Sequence, residues 1–311
     1  MKVSIIGAGN VGTTAAIILA KKELVREVVL LDIKQGVAEG KALDLFHMAP
    51  INNYDTKFTG VTNDYTATAN SNVVVITSGV PRQPGTSRDD LIHVNAKIVK
   101  SVTEKVIELS PCAVIIVVSN PLDVMTYTAY LAAKIDAKRI VGMAGILDTA
   151  RFRAFLSEAL NCSHRDIQTI ILGGHGDTMV LLPRYTTVAG IPLTQLLPKN
   201  KIDAIVKRTK NGGGELVSLM GTSAAYAPGA AVAQMVEAIT RNQKRIFPCC
   251  TLLNGEYGMK NIFMGVPVKL GKNGVEEILE IHLNAEEKAL LETSAKSIRS
   301  VMDILDKMKL F

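Results

Sequence analysis

Val3-Ser4-Ile5-Ile6-Gly7-Ala8-Gly9-Asn10-Val11-Gly12 is an almost wholly apolar run that breaks into three glycines, and the residues from Val11 to Lys22 then follow a helical pattern. A strand that turns through GxGxxG into a helix is suited to a dinucleotide. The first glycine permits the tight turn, the second lets the backbone approach a pyrophosphate, and the third allows close helix packing. The phosphates sit at the positive end of the helix, held by its free N–H groups. Gly7, Ala8, Gly9, Asn10, Val11 and Gly12 are therefore the expected cofactor contacts. Twenty residues past Gly12, the second apolar run ends in Asp32. An acid at that position accepts hydrogen bonds from the adenosine ribose and repels a 2′-phosphate, so NAD is expected over NADP. A glycine-rich turn followed by an unrelated surface acid is the blander alternative.

The rest of the first 143 residues repeats the same alternation. Val28 to Leu31, Val73 to Thr77, Val114 to Ser119 and Ile140 to Met143 are nearly all apolar, as strands buried on both faces must be. Helical patterns over Val37 to Met48, Asp89 to Leu109 and Pro121 to Lys134 separate them. Strand and helix in turn predict an α/β, Rossmann-type doubly wound parallel sheet over residues 1–143. From 144 to 311 the rhythm changes to that of an α+β catalytic domain. Helices are expected over Leu147 to Leu160, Ile202 to Met220 and Pro228 to Thr240, with short strand pieces between Ile167 and Leu193. Strand signals at Arg245 to Leu253 and Ile262 to Leu270 are close enough in sequence to pair antiparallel. A last helix should run from an N-cap at Asn284, with Glu287 at the capping-box position, to about Lys309.

Composition narrows the function classes. With 311 residues, 48 % of them hydrophobic and 21 % charged, the chain has ordinary globular usage and enough length for two cores. Gly7, Gly9 and Gly12 interrupt the apolar amino terminus too early for a secretory h-region. No stretch approaches the roughly 18–20 apolar residues needed to cross a bilayer, so no membrane role and a cytoplasmic location are expected. The four cysteines, Cys112, Cys162, Cys249 and Cys250, show no metal-ligand spacing and read as buried thiols in a reducing compartment. A net charge of +6 raises nucleic acid as a partner, but the basic residues are scattered, the largest group being Lys207, Arg208 and Lys210. No nucleic-acid partner is expected. Mild basicity suits a dianionic small substrate instead.

Three further stretches carry chemistry. Ser78 to Asp90 is a turn-rich loop at the carboxyl end of a strand, with Arg82 and Arg88 flanking Pro84-Gly85. That composition suits a movable flap that brings positive charge to an anion, and equally suits a solvated basic loop. Asp148 and Arg151 in Ile146 to Arg153 are three apart and share a helix face. His175, set among glycines in Gly173-Gly174-His175-Gly176-Asp177-Thr178, has no core to fill and is a candidate proton carrier if a carboxylate supports it.

GAGNVG, VSNPLDVMTY, ILDTARFR and GGHGDTMV in this order resemble the lactate and malate dehydrogenase family along essentially the whole chain. The resemblance implies hydride transfer between a 2-hydroxy acid and NAD, with no metal. It implies that His175 and Asp148 form the proton relay, that Arg151 binds the substrate's C1 carboxylate, and that Arg88 polarises the reacting carbonyl. Asn95 and the segment Val118, Ser119 and Asn120 should line the nicotinamide half of the cofactor, Asn120 also reaching the substrate. Arg82 stands where lactate enzymes commonly carry Gln and malate enzymes carry Arg. An arginine there matches the second carboxylate of oxaloacetate, and closed around pyruvate it would lie unpaired. The resemblance thus implies malate and oxaloacetate as the small-molecule pair, and a homotetramer with a dimer as the alternative. An L-lactate dehydrogenase or broad 2-keto acid reductase is the nearest rival, and a non-enzymatic NAD-binding protein a more distant one. The intact set of arginines, acid and histidine argues against the latter, because a sensor has no use for a proton relay.

Overall fold

The computed structural model describes residues 1–80 and 88–311, excluding the side chain of Arg88. The β-branched runs form the centre of one sheet. Strands β1 (Lys2–Ile6), β2 (Glu27–Asp32), β3 (Lys57–Thr62), β4 (Val73–Ile76), β5 (Val114–Val117) and β6 (Ile140–Gly142) all pair in parallel, in the order β3-β2-β1-β4-β5-β6. Every residue of β4 and β5 is buried, as two-sided coverage requires. The cover comes from helices α1 (Asn10–Lys21), α2 (Val37–Asn52), α3 (Arg88–Leu109) and α4 (Leu122–Ala133). The order reverses between β1 and β4, the switch point beyond whose carboxyl ends open α/β sheets place their ligands.

Strand β3 is absent from the sequence reading for a physical reason. It is the edge strand, exposed to half-buried throughout, and its KFTGVT has neither an apolar run nor a clean alternation. It is held by α2, which lies so close that a Cβ on Gly60 would stand 2.2 Å from the Ala38 carbonyl oxygen.

Helix α5 (Gly145–Leu160) follows β6 and leads into the short strands β7 (Ile167–Gln168), β8 (Ile171–Leu172), β9 (Val180–Leu181), β10 (Thr187–Val188) and β11 (Ile191–Pro192). Then come α6 (Leu193–Leu196), α7 (Lys199–Met220), α8 (Tyr226–Thr240), the strands β12 (Arg245–Asn254), β13 (Lys260–Gly271) and β14 (Gly274–Ile278), and α9 (Ala285–Lys307). The expected antiparallel pairing of β12 with β13 is present, from Arg245 opposite Leu270 onward. This meander extends the parallel sheet to nine strands through one pairing, Cys250 with Gly142. Asn284 and Glu287 form the expected reciprocal capping box at the start of α9. Helix α8 presses on α1 at Gly229, where a Cβ would lie 2.6 Å from the Thr14 side chain.

The cysteine expectation needs correction. Cys249 and Cys250 are buried in β12, but Cys112 is exposed in the turn before β5 and Cys162 is half-buried after α5. All four are free thiols. Among the described residues no group of His, Cys, Asp and Glu is arranged to hold a metal ion, and no helix is long and apolar enough to cross a membrane.

Candidate active site

The glycine turn sits at the carboxyl end of β1, with the Gly7 N–H donating to the Leu31 carbonyl at 2.8 Å. Gly7 has φ +111° and a Cβ there would meet Thr77 Oγ1 at 2.6 Å, so the turn admits only glycine. Gly12 is equally crowded, its Cβ position lying 2.3 Å from the Gly7 carbonyl oxygen. Gly9 is the opposite case: among the described residues nothing lies within 4 Å of its Cβ position. Gly9 is also the N-cap of α1, and no side chain caps that helix. Open space in front of uncapped N–H groups, at Asn10, Val11 and Gly12, fits a pyrophosphate.

Asp32 closes β2 beside this turn. One carboxylate oxygen accepts the Ala8 N–H at 2.8 Å and the other accepts the Lys34 N–H at 3.0 Å. Each oxygen keeps further acceptor capacity for ribose hydroxyls. Lys41 Nζ donates to the Ala8 carbonyl at 2.6 Å, a second anchor of the turn that no spacing rule in the sequence pointed to.

Beside β5 the expected nicotinamide-side residues form one connected group. Asn95 on α3 is buried, accepts the Val80 N–H at 2.8 Å and donates through Nδ2 to the carbonyls of Val80 (3.2 Å) and Asn120 (2.7 Å). Its side chain therefore fixes backbone. Buried Ser119 donates to the Ser78 carbonyl, and the Val118 N–H donates to the Ile76 carbonyl at 2.9 Å. Asn120 is exposed at the carboxyl end of the sheet. Arg82 lies outside the described residues, as does the side chain of Arg88, whose backbone opens α3.

Asp148 and Arg151 project from the first two turns of α5, and His175 from the loop between β8 and β9. The His175 Nδ1–H donates to Asp148 Oδ2 at 2.8 Å, while Arg151 Nη1 donates to Asp148 Oδ1 at 3.0 Å. The carboxylate is 1 % exposed and is bound on both oxygens. Burial alone would lower the proton affinity of His175. The charge and hydrogen bond of Asp148, aided by Asp123 and opposed by Arg151, outweigh it and raise the imidazole above its usual range. Arg151 lies across α7, whose Gly212 would bring a Cβ within 3.2 Å of the Arg151 Cδ. Its Nε is buried without a partner among the described residues. A buried donor left unpaired costs about 1–3 kcal/mol.

Asp123 joins this group without any signal in the sequence. It lies in the first turn of α4 and accepts the His175 N–H on Oδ2 at 3.0 Å. Its acid stands inside VSNPLDVMTY, but nothing in the local pattern ties position 123 to position 175.

An imidazole hydrogen-bonded to a buried carboxylate, in a chain whose first strand ends in a dinucleotide-type glycine turn, fits one class: a nicotinamide-linked oxidoreductase. The sequence pattern of the lactate/malate dehydrogenase NAD-binding domain matches residues 1–142, and that of the family's alpha/beta C-terminal domain matches residues 146–308. The chain belongs to the lactate/malate dehydrogenase family. It is 64 % identical over 306 residues to the malate dehydrogenase of Cytophaga hutchinsonii, covering 98 % of both chains. The structure of the malate dehydrogenase from Salinibacter ruber superposes with a TM-score of 0.96 at 54 % identity, covering 99 % of each chain. The lactate dehydrogenase of Cryptosporidium parvum, solved with lactic acid and NAD, superposes with a TM-score of 0.94 at 37 % identity over 98 % of each chain. Overall shape thus does not separate the two substrates.

Proposed function

We propose that this chain interconverts L-malate and oxaloacetate with NAD, using His175 as the proton carrier. The observation that supports it most is the buried Asp148 held between the His175 imidazole and an Arg151 guanidinium with an unpaired Nε. Gly7 to Gly12 and Asp32 hold the dinucleotide. Asn95, Val118, Ser119 and Asn120 shape the wall beside its nicotinamide. When bound, NAD supplies the hydride acceptor. Arg151 binds the C1 carboxylate through guanidinium N–H groups that Asp148 leaves free. In oxidation, neutral His175 takes the hydroxyl proton at Nε2, and Asp148 stabilises the imidazolium from Nδ1. In reduction, protonated His175 returns it, while Arg88 stabilises charge on the carbonyl oxygen. Arg82 pairs with the carboxylate that malate has and lactate lacks. The direct test is NADH formation from NAD with L-malate or L-lactate: malate should be oxidised far faster, and equal rates would overturn the dicarboxylate reading.

The cytoplasm is the proposed location, and a homotetramer, with a dimer as alternative, the proposed assembly. Leu43, Phe46 and Ile51 stand exposed on one side of α2, an apolar surface suited to a subunit contact.

The Asp32 carboxylate should make the enzyme strongly prefer NADH over NADPH. Asp32→Ser should narrow that preference by about tenfold or more in kcat/KM, since it removes a charge that repels the phosphate and an acceptor for the ribose. Native enzyme using both reduced cofactors equally would contradict the role of Asp32.

A pH dependence follows from the raised proton affinity of His175. Oxidation needs the neutral imidazole, so kcat/KM for malate should rise as pH climbs through the His175 pKa. Asp148→Asn removes the main influence that raises this pKa and should move the limb to lower pH, along with a fall in the plateau. A limb that stayed in place or moved upward would contradict the pairing.

A further inference from the structure

Three consecutive N–H groups carry His175 into the cleft, and each ends on a different element. The Gly173 N–H donates to the Gly265 carbonyl of β13 at 2.9 Å. The Gly174 N–H donates to Ser294 Oγ of α9 at 2.8 Å. The His175 N–H donates to Asp123 Oδ2 of α4 at 3.0 Å. Ser294 and Asp123 are both buried, and the loop lies directly against them: a Cβ on Gly173 would stand 2.7 Å from Ser294 Oγ, and one on Gly174 3.2 Å from Asp123 Oδ2. The glycines of this stretch therefore let the backbone reach two buried acceptors. Asp123 makes no salt bridge among the described residues; its burial pushes its carboxyl up, and its polar neighbours are the His175 N–H and the Cys250 thiol. Burying an acid is costly unless it is hydrogen-bonded, and the His175 N–H supplies such a bond.

We propose that Asp123 and Ser294 are positioning residues for His175, fixing the backbone of residues 174 and 175 so that Nδ1 stays on Asp148 while Nε2 exchanges the proton. Neither touches substrate. Their effect passes through the imidazole, because a displacement of about 1 Å at a proton-transfer group is enough to cost up to about 10²-fold in rate. The inference rests on the reading of His175 as the proton carrier.

The test is a double-mutant cycle on kcat, with NADH affinity and melting temperature measured for each protein. Asp123→Ala should lower kcat by about 10-fold to 10²-fold and Ser294→Ala by about fivefold, with NADH affinity within about threefold of the parent. Asp123→Asn keeps an oxygen on the His175 N–H and, for malate oxidation at a pH where His175 is neutral in both proteins, should hold kcat within about threefold of the parent. In a His175→Asn background, Asp123→Ala and Ser294→Ala should each cost less than about twofold more, since there is no proton carrier left to misplace. The same factor in both backgrounds would overturn the inference, as would full kcat in both alanine variants or an Asp123→Asn as slow as Asp123→Ala. If Asp123→Ala does not fold, Ser294→Ala carries the cycle alone. A His175→Asn protein that kept its kcat would instead defeat the reading of His175 itself.

Discussion

His175→Asn should lower kcat by about 10²-fold or more while leaving NADH binding nearly unchanged, because loss of a general acid-base group removes about 10²- to 10⁴-fold from the chemical step. Binding and chemistry separate for a structural reason: the imidazole sits on the β8–β9 loop, whereas the dinucleotide cradle is built from the carboxyl ends of β1 and β2. Asparagine retains an N–H for Asp148 Oδ2, so the buried carboxylate is not left without a donor and the fold should persist. Fluorescence titration with NADH and steady-state kinetics on one preparation make the comparison. A variant with most of its kcat intact would remove His175 from the mechanism.

Arg82→Gln should depress kcat/KM for oxaloacetate by roughly 10²- to 10³-fold and raise it for pyruvate. In the proposed role, the Arg82 guanidinium pairs with the distal carboxylate, and the pairing is stronger the less water reaches it. Without the arginine that carboxylate is buried and unpaired, a penalty on the order of 3–5 kcal/mol. Pyruvate gains because no unpaired charge is then carried into the site. Residue 82 is flanked by fixed chain: Val80 is bound by Asn95 through both its N–H and its carbonyl, and α3 begins at Arg88. Arg151 and His175 are untouched, so chemistry on the shared 2-keto acid should survive. The ratio of kcat/KM for the two acids, in parent and variant, decides it, and an unchanged ratio would remove Arg82 from substrate selection.

How much of this was legible beforehand depended on how local the signal was. The buried strands β4 and β5 were readable because two-sided burial demands VVVI and VIIV, and α9 because its capping box occupies four successive residues. Strand β3 was not, since its edge position leaves its residues only half covered by α2. The joining of the antiparallel strands to the parallel sheet was equally hidden, because one pairing, Cys250 with Gly142, makes the junction. At the site, Asp148 and Arg151 announced themselves by helical spacing, and the Gly-rich turn by its motif. Asp123 and Ser294 did not. Their hydrogen bonds to the His175 loop span 52 and 120 residues of sequence, and no periodicity encodes a contact at that range. Cys112 was misread for the converse reason: residue type favours burial, but its position in a turn between α3 and β5 exposes it.

The central claim is that this family member is built for a dicarboxylate, and it is tested most directly by kcat/KM for NADH oxidation with oxaloacetate and with pyruvate, measured side by side on the native enzyme. With Arg82 in its proposed role, the guanidinium would have no partner against the smaller acid, which sets the expected preference for oxaloacetate at about 10²-fold or more. Equal values, or a preference for pyruvate, would contradict the account.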